Sequence, residues 1–103
     1  MACKLFIADE AKNDIDSIVS HIVNVLKNPT AAKNLLTQIE SVIDAISLNP
    51  LAFPLCLDKR LKAKGYRKVS VKNYIVFYRV NAEKNTVYIL RVIYGRRNYI
   101  NFL

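Results

Sequence analysis

Glycine is scarce in this chain, two in 103 residues, and proline stops at three. Such a composition excludes a flexible linker, a collagen-like repeat and a low-complexity array. No segment repeats, and no apolar run approaches the roughly 18 residues that span a bilayer, so no membrane partner is expected. A basic-then-apolar leader is missing too: Lys4 sits in a short strand-like run, and Asp9 and Glu10 follow at once. A cytoplasmic address is therefore expected. The two cysteines, Cys3 and Cys56, match no metal knuckle, no C-x-x-C and no secreted disulfide frame. Two reduced thiols are the expectation, with no metal and no cofactor.

What is present is apolar and basic. Hydrophobic residues make up 52% of the chain, which excludes a disordered protein. A chain of this length forms one domain, residues 1–103, able to bury about two thirds of its unfolded surface without staples. The net charge of +8 is unevenly spread. Residues 1–50 carry four lysines against six acids, a balance of −2, whereas residues 51–103 carry twelve Lys and Arg against Asp58 and Glu83, a balance of +10. Basic excess in one half of a compact domain makes a positive surface that attracts RNA, DNA or an acidic protein segment. The alternative is a basic face that serves solubility alone.

Periodicity divides the chain in the same place. Cys3, Leu5 and Ile7 alternate as a short first strand. Asp9 then reads as a helix cap, and Ala11, Ile15, Ile18, Ile22 and Val25 recur at three- and four-residue spacing to about Lys27, with Asp14, Asp16, Ser17 and Ser20 opposite. Asn28-Pro29 interrupts and restarts a helix, with Leu35, Leu36, Ile39, Val42, Ile43 and Ile46 on one face. Asn49-Pro50 stops it. So short a break predicts an antiparallel helix hairpin. Residues 50–63 read as irregular, ending in the basic run Lys59-Arg60-Leu61-Lys62. After them the period falls to two. Tyr66–Val71, Tyr74–Val80 and Thr86–Tyr94 form three strands, joined by turns at Lys72-Asn73 and Asn81–Asn85. The order β-α-α-β-β-β is an α+β fold, an antiparallel sheet with the helix hairpin on one face.

The middle strand is apolar on both sides. Tyr74, Val76, Tyr78 and Val80 face one way; Ile75, Phe77 and Arg79 face the other. The helices cover one face. The other needs the C-terminal tail, a self-contact or a partner protein, and with arginines at its border it reads as a binding surface.

These residues resemble a known family. Gly65-Tyr66-Arg67, then Asn73-Tyr74-Ile75-Val76-Phe77-Tyr78-Arg79-Val80, then Ile89-Leu90-Arg91-Val92-Ile93-Tyr94-Gly95-Arg96-Arg97, are similar to the C-terminal half of RelE/ParE-type toxins of bacterial type II toxin–antitoxin systems. The short strand, the acidic first helix and the Ala-containing second helix ending near proline agree, so the resemblance covers almost the whole chain. It implies a growth-inhibiting toxin neutralised by an acidic, partly disordered cognate antitoxin. It also implies one of two targets: the mRNA on a ribosome, cut by RelE-like members, or DNA gyrase, poisoned by ParE-like members that are not nucleases.

For a metal-free ribonuclease the resemblance implies Arg67, Tyr94 and Arg97 as catalytic residues, with Arg79, Arg91 and Arg96 as contacts to RNA or target. His21, on the first helix, and Glu83, in a turn, are set aside as catalytic groups. One departure matters. Ribonuclease members carry arginine directly after the tyrosine that opens the middle strand, and here that position is Ile75. An apolar side chain cannot stabilise phosphate charge, so the expectation favours the gyrase-binding arm. The ribosome-dependent mRNA endoribonuclease is the alternative, and a non-toxic basic RNA-binding module is a further one.

Overall fold

A computed structural model describes residues 3–95 together with Leu103. The elements follow in the order β1 (Lys4–Ile7), α1 (Asp9–Asn24), α2 (Pro29–Leu48), α3 (Lys59–Ala63), β2 (Arg67–Val71), β3 (Tyr74–Asn81) and β4 (Thr86–Tyr94). The four strands make one sheet in the order β1-β4-β3-β2. The meander β2-β3-β4 is antiparallel as expected, but β1 joins β4 in parallel, so the sheet is mixed rather than antiparallel throughout. A first strand followed by an up-and-down helix pair can reach the free edge of β4 only in that direction. Its ladder runs from Lys4 N–H donating to the Asn85 carbonyl to Ala8 N–H donating to the Ile89 carbonyl.

That last bond explains how α1 starts. Ala8 is still extended and bonded to β4, so it is the N-cap, without a side-chain cap, and Asp9 becomes the first helical residue instead of the cap. Asp9 and Glu10 complement the helix dipole from the first turn. The helix also stops earlier than Lys27. Lys27 takes a left-handed φ of 55°, and Asn28 N–H reaches back to the Ile22 carbonyl, six residues earlier. A left-handed residue other than glycine thus closes the helix end. Asn28 then caps α2, its side chain accepting from Ala31 N–H at 3.1 Å, with Pro29 at the first helical position. Ala32, Leu35, Ile39, Ile43 and Ile46 bury one stripe of α2. They meet Ala11 and Ile22 of α1 and Val71, Val76, Tyr78, Val87, Ile89 and Val92 of the sheet in the main core.

The second sheet face is covered in part by the chain itself. Residues expected to be irregular contain α3, capped by Asp58, whose carboxylate accepts from Arg60 and Leu61 N–H. Leu61 and Cys56 pack on Phe77 and Ile93 as a second buried cluster, flanked by Tyr66, Ile75 and Leu103. Five residues are too few to show a helical period, so α3 left no pattern in the sequence. Both cysteines are free thiols. Burial pushes the Cys56 thiol up, against the opposing pull of Lys68. Among the described residues no helix is long and apolar enough to cross a membrane.

Candidate functional site

The C-terminal half of β4 lies beyond the end of β1, and α1 takes over its edge. Asp14 does this chemically. Its Oδ2 accepts from Val92 N–H at 3.0 Å, standing where a neighbouring strand would supply a carbonyl. The same carboxylate grips Arg91 with two bonds, Nε to Oδ2 at 2.7 Å and Nη2 to Oδ1 at 2.9 Å. The hydrogen bond to Asp14 holds the Arg91 guanidinium above its ordinary range. The β3–β4 ladder carries a bulge at this point. Phe77 pairs with Arg91 and Tyr78 with Ile89, so Leu90 is the extra residue and the alternation of β4 shifts there.

Beside this pair the edge opens into a trough along α1. A hollow of about 200 Å³ is lined by Asp14, Ser17, Ile18, Tyr74, Arg91 and Tyr94 among others. A larger one, about 520 Å³, shares Ser17, Ile18, Tyr74 and Tyr94 with it and adds His21, Leu26 and Asn73. Tyr74 and Tyr94 are register partners, and their rings meet edge to face at 5.6 Å. Burial, and secondarily Tyr94, pushes the Tyr74 hydroxyl up. Gly95 N–H donates to the Asn73 carbonyl at 2.8 Å. A Cβ at Gly95 would stand 3.3 Å from that carbonyl oxygen, tight against backbone.

The candidate residues therefore divide. Arg91 and Tyr94 line one hollow, with Arg91 committed to Asp14. Arg67 stands elsewhere. Its Nη1 donates to the Phe53 carbonyl at 2.6 Å, while the Tyr78 hydroxyl opposite it donates to the Pro50 carbonyl at 2.8 Å. Together they pin the 50–54 connection to the sheet. Along β3, Arg67 pairs at Tyr78 and Tyr94 at Tyr74, a separation of four residues or about 13 Å. Arg79 is further still, stacked over the Tyr88 ring at 4.5 Å on the face away from the helices. Arg96 and Arg97 lie outside the described residues. Glu83 is in the β3–β4 turn, as expected.

Two participants escaped the sequence reading. Asp14 is half-buried against β4, although its spacing had placed it on the solvent side of α1. His21, set aside for lying in the other half of the chain, shares the hollow with Tyr74 and Tyr94. Helical spacing orders residues around α1, but which stripe meets the end of β4 is a tertiary fact. Ile75 behaves as its chemistry demands, packed beside Phe77, Ile93, Cys56 and Leu61. Among the described residues no group of three or more His, Cys, Asp or Glu side chains could hold a metal.

A helix hairpin on one face of a small mixed sheet, with acids gathered on the helices and bases on the sheet half, defines the class: an α+β toxin domain of the RelE/ParE type. The profile of the ParE toxin family (ParE toxin of type II toxin-antitoxin system, parDE) matches residues 5–99, and the chain belongs to that family. Three solved structures share its fold. The chromosomal ParDE system from P. aeruginosa superposes with a TM-score of 0.72 at 20% identity, covering 90% of this chain and 96% of that one. The RelBE2 toxin–antitoxin complex from Mycobacterium tuberculosis gives 0.63 at 21% identity, over 91% and 99%. The archaeal RelE–RelB complex from Pyrococcus horikoshii OT3 gives 0.56 at 15%, over 94% and 99%. A comparison with curated protein sequences returns no match.

Proposed function

We propose that this type II toxin stops growth by binding DNA gyrase, without cutting RNA, and is neutralised by an acidic cognate antitoxin. The observation that carries the reading is Ile75. It packs in an apolar cluster at the position where a nuclease of this fold would present arginine to phosphate. The arginines nearby are engaged elsewhere, Arg91 by Asp14 and Arg67 by the Phe53 carbonyl. Arg79, Arg96 and Arg97 are then contacts to the target or to the antitoxin. An acidic antitoxin suits the +10 half of the chain, and the structural relatives are a P. aeruginosa ParDE toxin–antitoxin system and an M. tuberculosis RelBE2 toxin–antitoxin complex. Gyrase as target implies a cytoplasmic site of action.

A second reading has one observation in its favour. His21, Tyr74 and Tyr94 gather on one hollow, which supplies titratable groups for a ribosome-dependent endoribonuclease that also uses Arg67 and Arg97. Inducing the chain in bacteria separates the two. Gyrase binding predicts filamentation, loss of supercoiling activity and intact transcripts by primer extension. Codon-phased mRNA cuts with unchanged supercoiling overturn it, and cuts abolished by Tyr94→Phe or Arg97→Ala install the second reading.

A further inference from the structure

Among the described residues the covering of the second sheet face stops short. Cys56, Leu61 and Tyr66 lie over Phe77, Ile75 and Ile93, but the strands continue past them. There, side chains from three adjacent strands stand in register: Phe6 on β1 opposite Tyr88 on β4, and Tyr88 opposite Arg79 on β3. Their neighbours Val87 and Ile89 point into the core against the helices, so Tyr88 points the other way. The Phe6 ring lies 5.7 Å from the Tyr88 ring, and the Arg79 guanidinium sits 4.5 Å above the Tyr88 ring. Phe6 is 55% exposed although it is among the larger apolar side chains of the protein.

Charge on this layer has one sign. None of the four strands contains Asp or Glu, while Lys4 precedes Phe6 on β1 and Lys68 lies opposite Phe77 on β2. All six acids of residues 1–50 lie on α1 and α2; Glu10 reaches a hollow it shares with Tyr66 and Leu103, and Asp14 sits at the β4 edge, while the others lie away from the ladder. A polyanion is therefore drawn to the strand face and repelled from the helix face. The Phe6 and Tyr88 rings are tilted by 59° to one another, and the Arg79 guanidinium covers one face of Tyr88. Protein partners anchor by filling pockets, whereas planar bases need only rings and guanidinium planes to lie on.

From this juxtaposition we infer that the Phe6–Tyr88–Arg79 ladder is a stacking platform for single-stranded nucleic acid. Two bases lie against Phe6 and the Arg79–Tyr88 stack, and Lys4, Lys68 and Arg79 meet the phosphates. The site is distinct from the α1 trough and requires no chemistry at Tyr94 or Arg97. It stands whether or not gyrase is the target.

The chain contains no tryptophan, which makes a direct test available. Phe6→Trp retains a stacking ring and introduces a single emitter. Titrated with a 12-nucleotide oligodeoxythymidine, its emission is quenched on binding, and a duplex of equal length quenches it far less. By anisotropy with the labelled oligonucleotide, Phe6→Ala and Tyr88→Leu each weaken binding about tenfold. Arg79→Gln also weakens binding and lowers the salt dependence by about one phosphate contact. Lys33→Gln on the helix side changes neither. Circular dichroism confirms that each variant is folded, and because Phe6 is largely exposed its replacement leaves the core intact. Unquenched Phe6→Trp, or Phe6→Ala and Tyr88→Leu binding like the parent, overturns the platform. Polyglutamate quenching as well as the oligonucleotide also overturns it, in favour of an acidic protein segment.

Discussion

Replacing Asp14 by alanine tests whether α1 holds the end of β4 through one carboxylate. Asp14 accepts three bonds there, two from Arg91 and one from Val92 N–H, with the two side chains of the ion pair 17% and 22% exposed. Alanine leaves Val92 N–H without its acceptor and Arg91 without its carboxylate. An orphaned amide costs about 1–2 kcal/mol and a half-buried guanidinium losing a bidentate partner a similar amount, so the expected loss is about 2–4 kcal/mol. In thermal unfolding of a domain this size that is a fall of roughly 10–20 °C. Asp14→Asn keeps one acceptor and falls between. The cycle with Arg91→Met isolates the pair: Asp14→Ala in that background costs less by about 1–2 kcal/mol, the remainder being the Val92 bond. The pH dependence of the pair follows from Arg91. Its guanidinium is raised by the hydrogen bond to Asp14, so its contribution is complete below the unfolded value and is lost only as pH rises through the folded one, beyond ordinary buffers. Urea midpoints read by circular dichroism decide the matter. A cost below about 0.5 kcal/mol, with Arg91→Met strictly additive, means solvent screens the pair and α1 is held by packing alone.

Other perturbations bear on the second sheet face, the turns and the tyrosines. Leu61→Ala, at a side chain 2% exposed, is expected to cost about 2–4 kcal/mol by urea unfolding, as for any core leucine; a surface-like loss would show that α3 is not integral. Lys72 takes the positive φ, 55°, of a two-residue hairpin turn, so Lys72→Gly is expected to raise stability by about 0.5–1 kcal/mol in the same assay. Burial raises the hydroxyls of Tyr74 and Tyr78, and in Tyr78 the Arg67 guanidinium opposes it. Their contribution to stability is complete below the unfolded value near pH 10 and is lost as pH climbs through the higher folded values. Absorbance at the tyrosinate band should show two late-titrating groups, and Tyr74→Phe should remove one.

Much of this architecture is written in local chemistry. Asn28-Pro29 starts α2 because a side-chain carbonyl oxygen can cap the Ala31 amide and proline loses nothing at the first turn. The alternation from Thr86 to Tyr94 is long enough to announce a strand and its limits. Failures occur where the chain is short or where long-range pairing overrides spacing. Five residues of α3 cannot display a period, and α1 begins at Asp9, without a side-chain cap, because Ala8 is still bonded to β4.

The sequence by itself determined the α+β class, the helix hairpin, the meander, the segregation of charge and the arginines worth watching, since each depends on residue type and near-neighbour spacing. Only the tertiary structure decided which of them meet. It set β1 parallel to β4, brought Asp14 against Arg91, and placed His21 on the same hollow as Tyr94. Among the described residues it also covered part of the second face with α3 while leaving Phe6 exposed beside the stacked Tyr88 and Arg79. Periodicity assigns a side chain to a face of its own element; what stands opposite that face depends on how elements distant in sequence pack.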